Sequence, residues 1–109
     1  MGGYVLVASH DPLESTEGRR LYQLAAGLVD HGDDVTVFLV QNGVLACRPA
    51  SAGAGDLRSL ASKATVVADE FSLRERAIAS HDVVAGVRVG GMDVLVDALM
   101  TDGRKAMWI

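Results

Sequence analysis

The chain has 109 residues, half of them hydrophobic and only 5% aromatic, with a formal net charge of −4 at pH 7. This predicts one domain spanning residues 1–109, built on an aliphatic core, and argues against disorder. With no basic run longer than Arg19-Arg20 or Arg104-Lys105, binding to a nucleic-acid backbone is disfavoured, and no apolar stretch approaches the ~18 residues of a membrane span.

Tyr4–Ala8 is a continuous, β-branched apolar run. Such a run reads as a strand buried on both faces, the mark of a parallel sheet covered by helices. The polar loop Ser9-His10-Asp11-Pro12-Leu13-Glu14 follows, with two candidate helix starts. One is Asp11 before Pro12 with Glu14 three residues on; the other is Ser15. Leu21, Leu24, Ala25 and Leu28 recur at i, i+3, i+4 and i+7, which predicts an amphipathic helix ending at Asp30-His31-Gly32. Val35–Val40 is a second strand, and strand, helix and strand within this length make a right-handed βαβ unit.

After Gln41-Asn42-Gly43, a short apolar segment delivers Cys47, the only cysteine in the chain. Residues 49–55 are small and aperiodic and read as a surface loop. Asp56 is read as the cap of a short helix carrying Leu57, Leu60 and Ala61. Thr65–Ala68 is a third strand. Ser72-Leu73-Arg74-Glu75 has the capping-box pattern of a further helix start. Residues 83–91 read as an extended segment, Met92–Met100 as a helix stopped by Thr101-Asp102-Gly103, and Lys105–Ile109 as a closing strand. The order predicts an α/β fold: a three-layer α/β/α sandwich with a mostly parallel sheet of four to five strands. Sites in such folds lie beyond the carboxyl ends of the strands, here at Ser9-His10-Asp11, Gln41-Asn42-Gly43 and Asp69-Glu70.

These segments carry a resemblance. YVLVASHDPLES, RLYQLAAGLVDHGDDVTVFLVQNGV, TVVADEFSLRERAI and VRVGGMDVLVDALMTDGRKAMWI follow the order and spacing of the DsrE/DsrF-like proteins, which include sulfur-relay subunits related to TusD. The third segment matches a strand, a polar stretch and a helix ending in an "R-G-I"-like turn. The resemblance spans nearly the whole chain. It implies a small cytoplasmic subunit of a homo- or hetero-oligomer, such as a trimer or hexamer, with a sulfur-donor or acceptor protein as partner. It also implies a persulfide-carrying cysteine after the third strand. The matching place here is about Asp69, or Ala68, and neither is cysteine.

Two functions from different classes follow. In the first, Cys47 is the catalytic thiol of a persulfide carrier, with Arg48 beside it to favour the thiolate. In the second, the chain kept the fold, lost the sulfur-carrying cysteine and binds a small ligand or protein at His10, Asn42, Asp69 and Arg76. Cys47 is then a small apolar filler among Val44, Leu45 and Ala46. His10 has a side chain suited to proton transfer. Asp69 and Glu70 are either a carboxylate pair or a solvated turn. Arg74 and Arg76 suit an anion or an interface ion pair. Scattered His residues and a single Cys give no metal spacing, and Gly2-Gly3 and Gly90-Gly91 build no phosphate loop. Neither a metal nor a cofactor is expected. The N-terminus lacks the basic region and long apolar run of a signal peptide, and the single cysteine suits a reducing cytoplasm. The high apolar content predicts a surface patch for another copy of the chain.

Overall fold

The computed structural model describes residues 3–12, 15–101 and 103–108, without the side chain of Glu17. Glu14, Asp102 and Ile109, used in the sequence reading, lie outside the described residues. The elements are β1 (Gly3–Ala8), α1 (Thr16–Asp30), β2 (Asp34–Leu39), a 3-10 segment (Gln41–Cys47), α2 (Ala54–Ala61), β3 (Thr65–Asp69), α3 (Glu70–Glu75), a 3-10 turn (Ser80–Asp82), β4 (Arg88–Gly90), α4 (Met92–Met100) and β5 (Arg104–Trp108).

All five strands are parallel, in the order β4-β3-β2-β1-β5. From β1 to β4 the chain steps one strand at a time in a single direction. Right-handed crossovers therefore lay α1, α2 and α3 on one face, and the return from β4 to β5 lays α4 on the other. The strands alternate accordingly. Leu6, Ala8, Val37, Leu39, Val66 and Ala68 join the large core under the first three helices. Val5, Val7, Phe38 and Val67 form a smaller core closed by Leu95 and Ala98 of α4. The result is the expected three-layer sandwich, with every strand connection of the parallel type.

Between the two candidate starts of α1, the structure selects Ser15. Its extended backbone and side-chain oxygen, which accepts from Gly18 N–H at 3.4 Å, cap the helix. Asp11 is buried instead. At the other end Gly32 adopts φ +98°, the left-handed turn read from the sequence. Two expected caps are corrected. α2 begins at Ala54 after Gly53, with Asp56 inside its first turn. α3 is capped by Asp69 rather than Ser72. A helix starting at Ser72 would leave the buried Asp69 carboxylate without the N–H and hydroxyl it now accepts.

The segment after β2 is held close to β1. Val40 N–H donates to the Ala8 carbonyl at 2.9 Å, and Gly43 lies over the same carbonyl. A Cβ on Gly43 would fall 2.3 Å from Ala8 O, well inside any permitted contact. Gly43→Ala should destabilise the fold by about 1–3 kcal/mol, the usual range for overpacking a tight contact. Urea unfolding should show a lower midpoint with an unchanged slope; an unchanged midpoint would mean that the two loops can part freely.

Candidate functional site

At the carboxyl ends of β2 and β3, four elements meet in one hydrogen-bond network. Asp69 ends β3 and caps α3: one carboxylate oxygen accepts from Ser72 N–H at 3.0 Å and from Ser72 Oγ at 2.7 Å. The same Ser72 hydroxyl oxygen accepts from Gln41 N–H at 2.9 Å. One buried hydroxyl thus ties the end of β2 to the start of α3 and satisfies both neighbours, which is what a buried polar group requires. Asp69 and Ser72 are each 4% exposed. Asp69 is therefore neither a solvated turn residue nor half of a free carboxylate pair with Glu70, which is exposed.

Asn42 and Arg76 stand over this buried layer. Arg76 Nε and Nη2 donate to Asn42 Oδ1 at 3.2 and 3.1 Å, and its Nη1 donates to the Ser72 carbonyl at 3.2 Å. The guanidinium is fixed by neutral oxygens alone. Among the described residues no carboxylate pairs with it, so its charge is placed but not neutralised.

Backbone strain is concentrated at the same place. Among the described residues, Gln41 at φ 49° and Ala77 at φ 55° are the two non-glycine residues with positive φ. Each is the chain neighbour of one member of the Asn42–Arg76 pair. Ala77 has a local cause. Its N–H donates to Arg74 O at 3.1 Å and Ile78 N–H to Leu73 O at 2.9 Å. This pattern ends a helix through a left-handed residue, usually glycine, with a hydrophobic clasp, here between buried Leu73 and Ile78. The left-handed conformation costs a non-glycine residue about 1–2 kcal/mol.

The four expected binding residues do not all meet. Asn42, Asp69 and Arg76 belong to one network. His10 is exposed, with its Nδ1 3.4 Å from Ser9 Oγ, and no hydrogen bond joins it to Arg76 or Asn42. Ser72 and Gln41 were missed. The pattern Asp69-x-x-Ser72 at a strand end was the available signal, since a capping Asp accepts from the third helical N–H.

Cys47 lies elsewhere. It is fully buried in the large core with Val44, Ala46 and Leu39. Its carbonyl accepts from Val84 N–H at 2.8 Å, which ties down the segment before β4. Burial pushes the thiol from its ordinary value of 9.0 up to about 12. At neutral pH it is a thiol, not the thiolate that attacks or carries sulfur. Burial likewise raises Tyr22, with Cys47, Asp11 and Asp56 adding to the rise, and the Tyr22 hydroxyl has no hydrogen-bond partner among the described residues.

No family model matches this chain, and no curated protein matches it. Solved structures do. The ychN protein of E. coli superposes with a TM-score of 0.90 at 19% identity over the full length of both chains. MTH1491 of Methanobacterium thermoautotrophicum, a protein of unknown function, matches with a TM-score of 0.77 at 21% identity over the full length of both. BT1422 of Bacteroides thetaiotaomicron, also of unknown function, matches at 0.80 and 15% identity, over 99% of this chain and 95% of the other. These likenesses show the fold alone.

On that fold two open grooves are prominent, and neither lies over the network. One, of about 280 Å³ between α1 and α2, is lined by Tyr22, Asp56, Ser59 and Lys63. The other, of about 450 Å³ beside α4, has Thr36, Thr65, Arg88 and Arg104 in its lining. The strand-end network is a surface rather than a cavity. Among the described residues no three His, Cys, Asp or Glu side chains are grouped to hold a metal, and no helix is long and apolar enough to cross a membrane.

Two outcomes are expected. Ala77→Gly should stabilise the protein by about 1 kcal/mol, since only the left-handed strain is removed; a loss of stability in urea would overturn that account. Cys47 should resist thiol reagents in native protein at neutral pH and react once the chain is unfolded. The raised pKa also sets a sign. Folding holds this proton more tightly than the unfolded chain does, so its contribution to stability is full below pH 9.0 and is lost as the pH rises toward about 12. Alkaline unfolding should be shallower in Cys47→Ala; an identical alkaline profile would rule this out.

Proposed function

We propose that this chain is a DsrE-like binding module that recognises an anionic group, a carboxylate or phosphate on a small ligand or on a partner protein, at Asn42 and Arg76. The observation that carries the reading is the guanidinium of Arg76, fixed by three hydrogen bonds to neutral oxygens with no carboxylate partner among the described residues. A guanidinium held this way keeps its charge for a visitor and has already lost its rotamer freedom, which lowers the cost of binding. The strained residues Gln41 and Ala77 support it, because backbone strain of this kind clusters at ligand clamps. Buried Asp69 and Ser72 set the position of the pair without touching the ligand.

The burial of Cys47 favours this reading over a persulfide carrier working through that thiol. A carrier cysteine must meet a donor and an acceptor in turn and must ionise readily. Cys47 is closed off by Val44, Ala46 and Leu39, and its pKa moves in the wrong direction.

Inorganic phosphate is a sufficient probe. In an NMR titration, phosphate should shift the resonances of Gln41, Asn42 and Arg76 in the wild type. Arg76→Gln should weaken the response more than tenfold, since a hydrogen bond to a charged group contributes about 1.5–3 kcal/mol. Asn42→Asp should do the same while preserving the fold, by giving Arg76 an internal carboxylate in place of the visitor. An equal response in Asn42→Asp would refute the proposal.

A further inference from the structure

The apolar face that α4 covers turns polar toward the amino ends of β2 and β3. Phe38 and Val67 belong to the smaller core. Two residues earlier on the same face stand Thr36 and Thr65, register partners on neighbouring strands. With Val67 they form the floor of the groove of about 450 Å³, whose lining also includes Asp97 and Ala98 of α4, Arg88 of β4 and Arg104 of β5. That volume falls within the roughly 300–1,000 Å³ of small-molecule sites. Arg104 reaches the floor from the edge strand. Its side chain crosses β1 at Gly3, where an added Cβ would fall 3.1 Å from Arg104 Cγ. It donates through Nη1 to Thr36 Oγ1 at 3.0 Å and through Nη2 to Asp34 at 3.1 Å.

Several groups in this lining keep hydrogen-bonding capacity that the described residues leave unused. Thr36 is 7% exposed. Its hydroxyl oxygen accepts from Arg104, but among the described residues nothing accepts its proton. A buried donor without an acceptor costs stability, and this one sits on the floor of an open groove. The Arg88 guanidinium has no hydrogen bond and no ion pair among the described residues. The Asp97 carboxylate is in the same condition, since the Thr101 hydroxyl bonds only to the Asp97 backbone carbonyl. Asp97 and Arg88 therefore line one groove while standing too far apart to pair.

These unused groups describe a ligand. Thr36, Thr65 and Arg88 offer donors to an anion, whereas Asp97 accepts from a cation. A phosphate or a plain carboxylate satisfies the donors and is repelled by Asp97. A ligand that carries both charges satisfies all four. We propose that this groove binds an α-amino acid with a small apolar side chain, at a site independent of Asn42 and Arg76. The carboxylate lies over the Thr36 and Thr65 hydroxyls. Arg88 is the register partner of Val67, roughly 8 Å from Thr65 at ordinary sheet spacing, which an arginine side chain spans. The ammonium meets Asp97, and the side chain rests against Val67 and Ala98. Arg104, already neutralised by Asp34, positions Thr36. Size is limited by Gly90, where an added Cβ would fall 3.0 Å from Val94 Cγ2 and 3.3 Å from Val67 Cγ1. Helix and sheet close together there, and a large side chain has no room.

L-Valine is the probe, with isovalerate and isobutylamine as the halves that carry only the carboxylate or only the ammonium. In an NMR titration at neutral pH, L-valine should shift the resonances of Thr36, Thr65, Arg88 and Asp97, and each half should bind about tenfold more weakly or worse. Asp97 and Arg88 are exposed, so substitutions there should keep the circular dichroism of the wild type. Asp97→Asn should weaken L-valine about tenfold and leave isovalerate no weaker. Arg88→Gln should weaken L-valine and isovalerate alike and leave the phosphate response of Asn42 and Arg76 as it was. The proposal is overturned if L-valine at millimolar concentration moves none of these four resonances, if isovalerate or inorganic phosphate shifts them as readily, or if Asp97→Asn binds L-valine as well as the wild type.

Discussion

The handedness of the connections between parallel strands governs this molecule. Because each step from β1 to β4 moves one strand over in the same direction, every crossover among them falls on one face. Only the long return to β5 uses the other. The large core, the burial of Cys47 and the smaller core on the second face all follow from that arrangement. A chain of this length has helices enough to cover one face well and not both.

The outline was legible in the sequence because it rests on local patterns. β1, β2 and α4, and the end of α1, were placed to within one or two residues, since their apolar runs or 3.6-residue periods are unbroken over enough positions to be distinctive, while the start of α1 stayed open between Asp11 and Ser15. The caps of α2 and α3 were misplaced. Asp56 and Ser72 both have the residue type of a cap, but Asp56 falls inside the first turn of α2, and the partner of Ser72 lies across the fold. Ser72 is needed inside α3 because its hydroxyl must reach Gln41 N–H, thirty-one residues away in sequence. Local propensity cannot express that demand. The same limit applies to Cys47: its neighbours suggested burial, but the closure of the Val84 segment over it is a long-range contact.

In the site, sequence placement and structural assembly diverge in an instructive way. Asn42, Asp69 and Arg76 do converge at strand ends. His10 also ends a strand, but a position at the edge of a sheet does not aim a side chain. What brings Arg76 to Asn42 is the termination of α3, which turns through Ala77 and clamps Ile78 under Leu73. The resemblance implies an "R-G-I"-like turn at this place. Holding the left-handed geometry with alanine costs stability, and the geometry is the part that positions the guanidinium.

Asp69 gives the resemblance a physical interpretation. Where the resemblance implies a sulfur-carrying cysteine, this chain places a group that accepts the third N–H of α3 and the Ser72 hydroxyl. Such donors stabilise negative charge at a helix start, and a thiolate there would be favoured for the same reason. A carboxylate uses them differently: it accepts both donors and offers no sulfur to transfer. The surroundings that could activate a thiol here serve as a permanent brace. The brace holds the exposed pair Asn42 and Arg76 in place above it.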